Sequence, residues 1–385
     1  MINNFIFQTT PKIIFGKNCL KNLPEELISR NASSAFIICD PAVNQMSVFG
    51  QVLNDLKTHK IKVSVYSEIK SDPDFENADN ARDCIIATNP DIVIGMGGGS
   101  TMDIAKIASI TAKTGEDSHY IAKTGRVSNK GLPLILIPTT AGTGSEVTHI
   151  SIFSDNTEIV KTGIVHPYLY ADLAILDPLL TLNLPQSVTS FSGLDALIHA
   201  LESLTSKIST PFTEILAFDA LKIIYNNILR VFENPKDIEA RSYMLYGSML
   251  AGMAFANSSV AAIHAFAYPI GAKFHIPHGL ANSIMLLPVL RYNLETGLGN
   301  YSLVAKALGI KTKGNSEYDI SEQLIYRINT LVDKLEINRN LGNYGVKSSD
   351  IPDLAKSVIK ITRLLSNNPR EININDAERL YSEAL

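Results

Sequence analysis

The first half of the chain alternates short apolar runs with longer amphipathic stretches, and this alternation limits the possible folds more than any other feature. The runs are AFIIC at 35–39, KVSVY at 62–66, DIVIGMGGG at 91–99 and LILIPTT at 134–140. Strands that alternate with helical segments indicate strand–helix–strand units around a parallel sheet. We therefore predict an α/β domain with a parallel sheet in this half.

The pattern changes after the segment LDPLLTLNLP at 176–185. Beyond it the sequence shows long helical periodicity, with many Ala, Leu and Ile residues and hardly any strand pattern. A chain of 385 residues exceeds the size at which a single core keeps growing, so two domains are expected. We predict an α/β domain at 1–184 and a helical domain at 185–385, with a ligand cleft between them.

Composition and charge argue against several classes of protein. The formal net charge is -4 and no run of Lys and Arg occurs, so nothing indicates nucleic-acid binding. The longest weakly polar stretch, at about 245–272, is interrupted by Asn257, His264 and Pro269, which favours a buried helix over a membrane span. The three cysteines form no C-x-x-C pair and no secretory signal is recognisable, so we expect a cytoplasmic protein with reduced thiols.

Two loops rich in glycine and threonine follow predicted strands. GMGGGSTMDIAK at 95–106 places three glycines where a strand passes into a helix, whose first N–H groups can bind a phosphate. Because this is not the G-x-G-x-x-G fingerprint, a tight turn without a ligand stays an open interpretation of this loop alone. PTTAGTGSEVT at 138–148 adds hydroxyl groups after the next strand. Two such loops together predict a dinucleotide ligand.

Asp40 directly follows the strand AFIIC. A carboxylate at the end of a strand can accept hydrogen bonds from a ribose diol and repel a 2′-phosphate. The dipeptide Asp-Pro also favours an ordinary turn. From the residues alone both interpretations of Asp40 stay open.

The helical half contains a carboxylate and imidazoles in apolar surroundings. SGLDALIHALE at 192–202 places Asp195 and His199 four residues apart, on one face of a helix. His264 lies on a second apolar helix, in AAIHAFAYPIGA, and His278 in the loop after it. A lone histidine of this kind is usually a core residue bonded to the backbone, but burying several ionisable groups without partners is costly. We therefore predict that these four residues share one divalent cation, Fe²⁺ or Zn²⁺.

Five motifs carry a resemblance to a known family: GGGSTMDIAK, PTTAGTGSEVT, AILDPLLT, SGLDALIHALES and IHAFAYPIGAKFHIPHG. In order and spacing they resemble the iron-containing (group III) alcohol dehydrogenase family over nearly the whole chain. The resemblance implies a Rossmann-like N-terminal domain that binds NAD and a helical C-terminal domain. It also implies a divalent metal, with Fe²⁺ expected in preference to Zn²⁺, and a homo-oligomer of two or more chains.

The resemblance also implies roles for individual residues. It makes Asp195, His199, His264 and His278 the metal ligands, and it makes Asp40 a ribose contact that favours NAD over NADP. The other implied cofactor contacts belong to the two loops and are Gly97, Gly98, Gly99, Ser100, Thr139, Thr140, Thr143 and Ser145.

Tyr268 departs from the family pattern. Many members carry a histidine four residues after the third metal ligand, with a proton-relay or substrate-contact role, and Tyr268 stands at that position here. A phenol has an unperturbed pKa of about 10, against about 6.5 for imidazole, so it does not relay protons at neutral pH as histidine does. We expect Tyr268 to donate a hydrogen bond at the substrate site or only to pack beneath the metal, with His275 as an alternative relay.

The implied reaction is reversible hydride transfer between NAD and a small alcohol, aldehyde or ketone. Alternatives in the superfamily are a glycerol dehydrogenase, a hydroxyacid-oxoacid transhydrogenase and a lyase similar to dehydroquinate synthase. The lyase needs several Lys and Arg for a phosphorylated acid, but Lys273 is the only one at 245–285. A non-catalytic homologue is disfavoured because all four ligands and both loops are present. Phe255, Phe266 and Phe153 either line the substrate pocket or pack in the core.

Overall fold

A computed structural model describes residues 4–70, 72–155, 160–297 and 299–385 of the chain. The chain forms two compact units. One is Thr9–Asn183, called the α/β unit below, and the other is Leu184–Leu385 together with the segment that ends at Gln8, called the helical unit. The domain limits of 1–184 and 185–385 stay a prediction.

The α/β unit is built around a six-stranded parallel sheet with the strand order β1-β8-β5-β4-β2-β3. The strands of this sheet are β1 (Ile13–Phe15), β2 (Ser34–Cys39), β3 (Lys62–Tyr66), β4 (Ile92–Gly97), β5 (Leu134–Pro138) and β8 (Leu173–Leu176). A separate two-stranded pair consists of β6 (Ile150–Asp155) and β7 (Val160–Val165). Its α-helices are α1 (Leu23–Ser29), α2 (Pro41–Asn44), α3 (Ser47–Thr58), α4 (Phe75–Thr88), α5 (Gly99–Thr114) and α6 (Ser118–Thr124). The four predicted apolar runs form β2 to β5, which confirms the predicted α/β class.

Strands β4, β5 and β8 are apolar and buried along their whole length because both faces of the sheet are covered there. Phe36 and Ile38 of β2 belong to one cluster of buried side chains, whereas Ile37 and Cys39 belong to a second cluster. Successive side chains of a strand point to opposite faces, so the two clusters lie on opposite sides of the sheet. A parallel sheet covered in this way contains continuous apolar runs rather than alternating ones.

The neighbouring strands β2 and β4 lie where the strand order reverses. From β2 the next strand in sequence, β3, lies on one side, while β4 and β5 lie on the other side. In open parallel sheets, ligands bind outside the carboxyl ends of the strands at such a reversal. Asp40 directly follows β2 and Gly98 directly follows β4. Two predicted cofactor contacts therefore flank this position.

The antiparallel pair β6 and β7 is an element that sequence analysis missed. The residues of β6 alternate between partly buried and buried positions, as in a strand with one covered face. Phe153 on β6 is 1% exposed, and its ring stacks on Phe75 with the ring centroids 5.3 Å apart. Phe153 thus packs in the core of the α/β unit.

The described part of the helical unit contains helices and no strand. The helices are α7 (Gln186–Thr205), α8 (Pro211–Glu233), α9 (Ile238–Ser258), α10 (Ala262–Phe274), α11 (His278–Leu294), α12 (Tyr301–Ala307), α13 (Glu317–Lys334), α14 (Ile351–Ile359), α15 (Thr362–Leu365) and α16 (Ile374–Glu383). Every residue of α7 from Gly193 to Thr205 is buried, so this helix is a core element. Among the described residues no single helix is long and apolar enough to span a membrane; α9 and α10 pass that test only together, with a bend of 100° between them.

Candidate metal centre and cofactor loops

Asp195, His199 and His264 come together in the interior of the helical unit. Asp195 and His199 lie four residues apart on α7, and His264 lies in the first turn of α10. Their exposed fractions are 2%, 4% and 2%. One ligand atom of each residue lies within 4.8 Å of the ligand atoms of the other two. The structure thus brings together three of the four predicted metal ligands.

The distances within this cluster fit a shared cation. Nδ1 of His199 lies 3.9 Å from Oδ2 of Asp195, and Nε2 of His264 lies 3.7 Å from Oδ1 of Asp195. Two atoms that each lie about 2.1 Å from one ion are at most about 4.2 Å apart. Nε2 of His264 is buried and makes no hydrogen bond to any described residue. A carboxylate with imidazole nitrogens suits a borderline divalent cation, so these residues fit the metal that the sequence predicts.

His278 lies beside the cluster and is less buried. The sequence predicted His278 in the loop after α10, but in the structure it is the first residue of α11. Its Nε2 lies 3.8 Å from Oδ1 of Asp195, and 32% of its side chain is exposed. The His278 and His264 rings lie 5.4 Å apart between centroids. The fourth predicted ligand therefore adjoins the other three on a more open side.

The neighbouring imidazoles favour the ionised form of the central carboxylate. Burial raises the pKa of Asp195, but the nearby His199, His278 and His264 outweigh that effect and the pKa is lowered from its ordinary value. The amide of Asn282 adds a hydrogen bond to Oδ1 of Asp195, at 2.7 Å. Both effects keep the carboxylate ionised in the protein interior.

Glu202 and Asn282 contact the cluster but were not predicted. Oε2 of Glu202 lies 2.6 Å from Nδ1 of His264. Asn282 contacts Asp195 and lies 3.2 Å from Nε2 of His278. Helical spacing contained a signal for both, because Glu202 lies seven residues after Asp195 on α7 and Asn282 lies four residues after His278 on α11.

The aromatic residues near the cluster differ in their surroundings. The ring of Phe255 stacks on His199 with 4.3 Å between centroids and 15° between planes, so Phe255 belongs to the site. Phe266 is 0% exposed and contacts the ring of Tyr381, so it packs in the core like Phe153. Tyr268 is 6% exposed, and its ring centroid lies 6.0 Å from that of His278.

In the α/β unit the glycine loop and the threonine loop lie against each other. The Thr139 N–H donates to the Gly97 carbonyl at 2.9 Å. A Cβ atom added to Gly99 would lie 2.7 Å from Cγ2 of Thr143, and one added to Gly97 would lie 2.9 Å from Oδ2 of Asp40. Side chains at these two positions would collide with their neighbours. The structure therefore brings Asp40 and both loops together.

The N-terminus of α5 offers N–H groups to an anion. The helix begins at Gly99, and the preceding Gly98 provides no side-chain hydrogen bond to its first turn. N–H groups in the first turn of a helix have no acceptor within the helix, and the helix dipole favours a negative charge there. Ser100, Thr140 and Thr143 are partly buried around this end.

Ser145 has different surroundings from the other loop residues. Its hydroxyl donates to Oδ1 of Asp103 at 2.6 Å and accepts from Nζ of Lys106 at 2.7 Å. Nζ of Lys106 also donates to Thr148 and to the carbonyl of Ile150. Ser145 is thus tied into a buried polar network with α5, a network that sequence analysis missed.

Comparisons with known proteins agree with this arrangement. The family model described as "Iron-containing alcohol dehydrogenase" matches residues 10–178, and the model "Fe-containing alcohol dehydrogenase family, C-terminal" matches residues 189–385. Long-chain-alcohol dehydrogenase 1 of Geobacillus thermodenitrificans is 36% identical over 372 residues, which cover 96% of this chain and 94% of the relative. Sulfoacetaldehyde reductase of Bilophila wadsworthia is 36% identical over 369 residues, covering 95% of each protein.

Solved structures give the same result for the fold. A crystal structure of a 1,3-propanediol oxidoreductase superposes with a TM-score of 0.95 at 30% identity, covering 100% of both chains. The resemblance inferred from the motifs is confirmed by these matches. The chain therefore belongs to the iron-containing alcohol dehydrogenase family and is a metal-dependent oxidoreductase that transfers hydride between NAD and an alcohol or carbonyl compound.

Proposed function

We propose that Asp195, His199, His264 and His278 hold the divalent ion of this oxidoreductase next to the reacting oxygen of the substrate. The observation that carries this assignment is the buried cluster of Asp195, His199 and His264, whose ligand atoms lie within 4.8 Å of one another. When bound, such an ion supplies Lewis-acid polarisation of the substrate C–O group. The nicotinamide performs the redox step, and the protein supplies binding and orientation.

The surroundings of the cluster support these roles. Asp195 provides the negative charge that a bound cation needs, and Asn282 holds one of its oxygens in place. Phe255 covers one face of the His199 ring with an apolar surface. His278 lies on the more open side, with 32% of its side chain exposed, and we place the substrate on this side.

For the cofactor, we propose that the first turn of α5 binds the pyrophosphate of NAD, with Gly97, Gly98, Gly99 and Ser100 lining it and Thr139, Thr140 and Thr143 on the facing loop. The start of α5, where Gly98 has no side chain that could cap the helix, and the reversal of strand order beside it support this assignment. Asp40, at the end of β2, would accept hydrogen bonds from the ribose. Ser145 would support the cofactor site indirectly, because its hydrogen bond to Asp103 fixes the threonine loop to α5.

For the substrate, we propose a small alcohol and the corresponding aldehyde or ketone. The named relatives act on different compounds, so they do not single out one alcohol. Glycerol dehydrogenase or hydroxyacid-oxoacid transhydrogenase activity at the same site is the alternative. A lyase acting on a phosphorylated acid is disfavoured, because Lys273 forms an ion pair with Asp350 at 2.7 Å.

For Tyr268, we propose a hydrogen bond to the substrate rather than proton transfer. Its buried position near the His278 ring supports contact with this side of the cluster. His275 is exposed and adopts a left-handed conformation, with φ 55°, at the C-terminal end of α10. This place in the fold favours a helix-ending role for His275 over a proton relay.

The metal assignment is tested by His264→Ala. Elemental analysis of protein purified without chelators should find about one divalent ion per wild-type chain, and the variant should lose most of it together with NADH oxidation across a panel of aldehydes and ketones. Tyr268→Phe is the matched comparison, because it should keep the metal and change the ranking of substrates.

Two outcomes would count against these assignments. Full metal content with normal turnover in His264→Ala would contradict the ligand set. An unchanged substrate ranking in Tyr268→Phe would leave Tyr268 with a packing role only.

A further inference from the structure

Glu202 is a buried carboxylate outside the proposed set of metal ligands and cofactor contacts. It lies on α7, three residues after His199 and seven after Asp195, and therefore on the same face of the helix. It is only 2% exposed. A carboxylate buried this deeply needs hydrogen-bond partners, and those of Glu202 lie on α10.

The two oxygens of Glu202 bind two adjacent groups at the start of α10. Oε1 accepts a hydrogen bond from the N–H of Ile263 at 2.6 Å, and Oε2 lies 2.6 Å from Nδ1 of His264. The first N–H groups of a helix have no acceptor within it, and Ala261, which precedes α10, provides no side-chain cap. Glu202 therefore caps α10 from another helix, and its charge lies at the positive end of the helix dipole.

The bond to Nδ1 also determines which nitrogen of His264 is available. An ionised carboxylate only accepts hydrogen bonds, so Nδ1 carries a proton, and in the neutral ring Nε2 then holds the lone pair. Nε2 is buried, makes no hydrogen bond to any described residue and lies 3.7 Å from Oδ1 of Asp195. Glu202 thus leaves the lone pair of His264 facing Asp195.

We propose that Glu202 is a positioning residue that fixes the ring orientation and the Nδ1–H tautomer of His264 for metal binding. This inference rests on the metal site assigned under the proposed function. Histidines that bind metals commonly donate their other N–H to a carboxylate, which orients the ring and raises its basicity. One carboxylate here performs this role and also caps the helix that carries the ligand.

The test is Glu202→Gln. The amide has nearly the same size but only one acceptor oxygen, so it cannot reproduce both bonds to α10. We expect the affinity for Zn²⁺, measured by competition with a chromophoric chelator, to fall ~10- to 100-fold. The visible absorption spectrum of the Co²⁺-loaded protein should also change, since it reports the geometry of the ligands.

Asp237→Ala is the matched control. Asp237 caps α9 in the same unit by accepting from the N–H of Ala240 at 3.0 Å. Its loss should lower the free energy of unfolding and leave Zn²⁺ affinity unchanged. If Glu202→Gln behaves in the same way, with lower stability and unchanged Zn²⁺ affinity while His264→Ala loses Zn²⁺, Glu202 only caps α10 and the inference is wrong.

A second measurement requires no variant at Glu202. In wild-type protein with ¹⁵N-labelled histidine and bound Zn²⁺, long-range ¹H–¹⁵N spectra should show His264 protonated at Nδ1 and bound through Nε2, with the signal assigned by its loss in His264→Ala. Binding through Nδ1 overturns the inference even if Glu202→Gln does not fold. If His264→Ala binds Zn²⁺ as tightly as the wild type, the proposed metal site itself fails, and this inference fails with it.

Discussion

The two carboxylate oxygens of Asp40 have different surroundings. Oδ1 accepts a hydrogen bond from the N–H of Val43 at 2.9 Å and so caps α2. Oδ2 faces Gly97, whose added Cβ atom would lie 2.9 Å away. The turn and the cofactor contact are therefore compatible interpretations of the same residue.

Asp40→Asn separates the charge of this residue from its capping role. Asparagine caps helices about as well as aspartate, so α2 should persist while the negative charge disappears. We expect the wild type to prefer NADH over NADPH by about tenfold or more, because a carboxylate repels the 2′-phosphate. The variant should narrow this ratio of kcat/KM mainly by improving the use of NADPH.

Asp117→Asn provides the control for Asp40→Asn. Asp117 caps α6 in the same manner, through the N–H of Tyr120 at 2.7 Å, and is exposed. The same chemical change there should leave the cofactor ratio unaltered. A wild-type enzyme that uses both reduced cofactors equally well would show that Asp40 does not select NAD.

Between elements, the close approach of α5 to the sheet depends on a glycine in β4. A Cβ atom added to Gly95 would lie 2.7 Å from Cβ of Ala105 on α5 and 2.8 Å from Cδ2 of Leu136 on β5. Because α5 begins with the glycine loop, this packing also determines where the predicted phosphate-binding turn lies. We infer that Gly95 allows α5 to pack close to the sheet and does not contact the cofactor itself.

Gly95→Ala should destabilise the protein by about 1–3 kcal/mol, since the added methyl group overpacks a full core. Gly50→Ala is the matched variant in the same unit: Gly50 is exposed within α3 and has open space around it. There the alanine should stabilise the protein by about 0.5–1 kcal/mol by favouring the helix. Urea unfolding of both variants measures whether each substitution raises or lowers the free energy of unfolding. Equal stability of the two variants would rule out the proposed close contact.

Across the whole molecule, two kinds of carboxyl group give stability an optimum in pH. Asp91 accepts hydrogen bonds from Ser33 and Ser34, and the backbone N–H of Ser33 is the main cause of its lowered pKa. A carboxyl group with a lowered pKa stabilises the fold above its unfolded pKa, and that contribution is lost as pH falls through the folded pKa. The backbone N–H of Ala240 lowers the pKa of Asp237, and the side chain of Lys273 lowers the pKa of Asp350, so acid should weaken the fold.

Glu146 acts in the opposite direction. It is 1% exposed, its Oε1 makes no hydrogen bond to any described residue, and burial raises its pKa from 4.5 to about 7. A carboxyl group with a raised pKa contributes its full stability below its unfolded pKa and loses it as pH rises through the folded value. The protein should therefore lose stability from this residue between about pH 4.5 and about pH 7, by up to about 3 kcal/mol.

Glu146→Gln should remove that loss. Urea unfolding at a series of pH values should show the variant gaining stability relative to the wild type as pH rises from about 5 to about 8. The comparison isolates Glu146, because all other titrating groups are common to the two proteins. Parallel stability profiles would mean that Glu146 does not titrate in this range.

Local sequence patterns determined much of this protein, because they depend on backbone geometry. β-branched apolar runs predicted β2 to β5, and the four-residue spacing placed Asp195 and His199 on one face of α7. The order of strands and glycine loops also predicted that Asp40 and the two loops follow β2, β4 and β5, where the structure has them. Each of these inferences needs only the period of a strand or a helix and the residue types within it.

Contacts between distant segments were decided only by the tertiary structure. Glu202 and His264 lie 62 residues apart in sequence, and Asn282 and Asp195 lie 87 residues apart, yet both pairs form hydrogen bonds. Ser145 likewise donates a hydrogen bond to Asp103, 42 residues away in sequence. A helical period specifies the face on which a side chain lies, whereas the group that meets it depends on how α7, α10 and α11 pack, which no local pattern encodes.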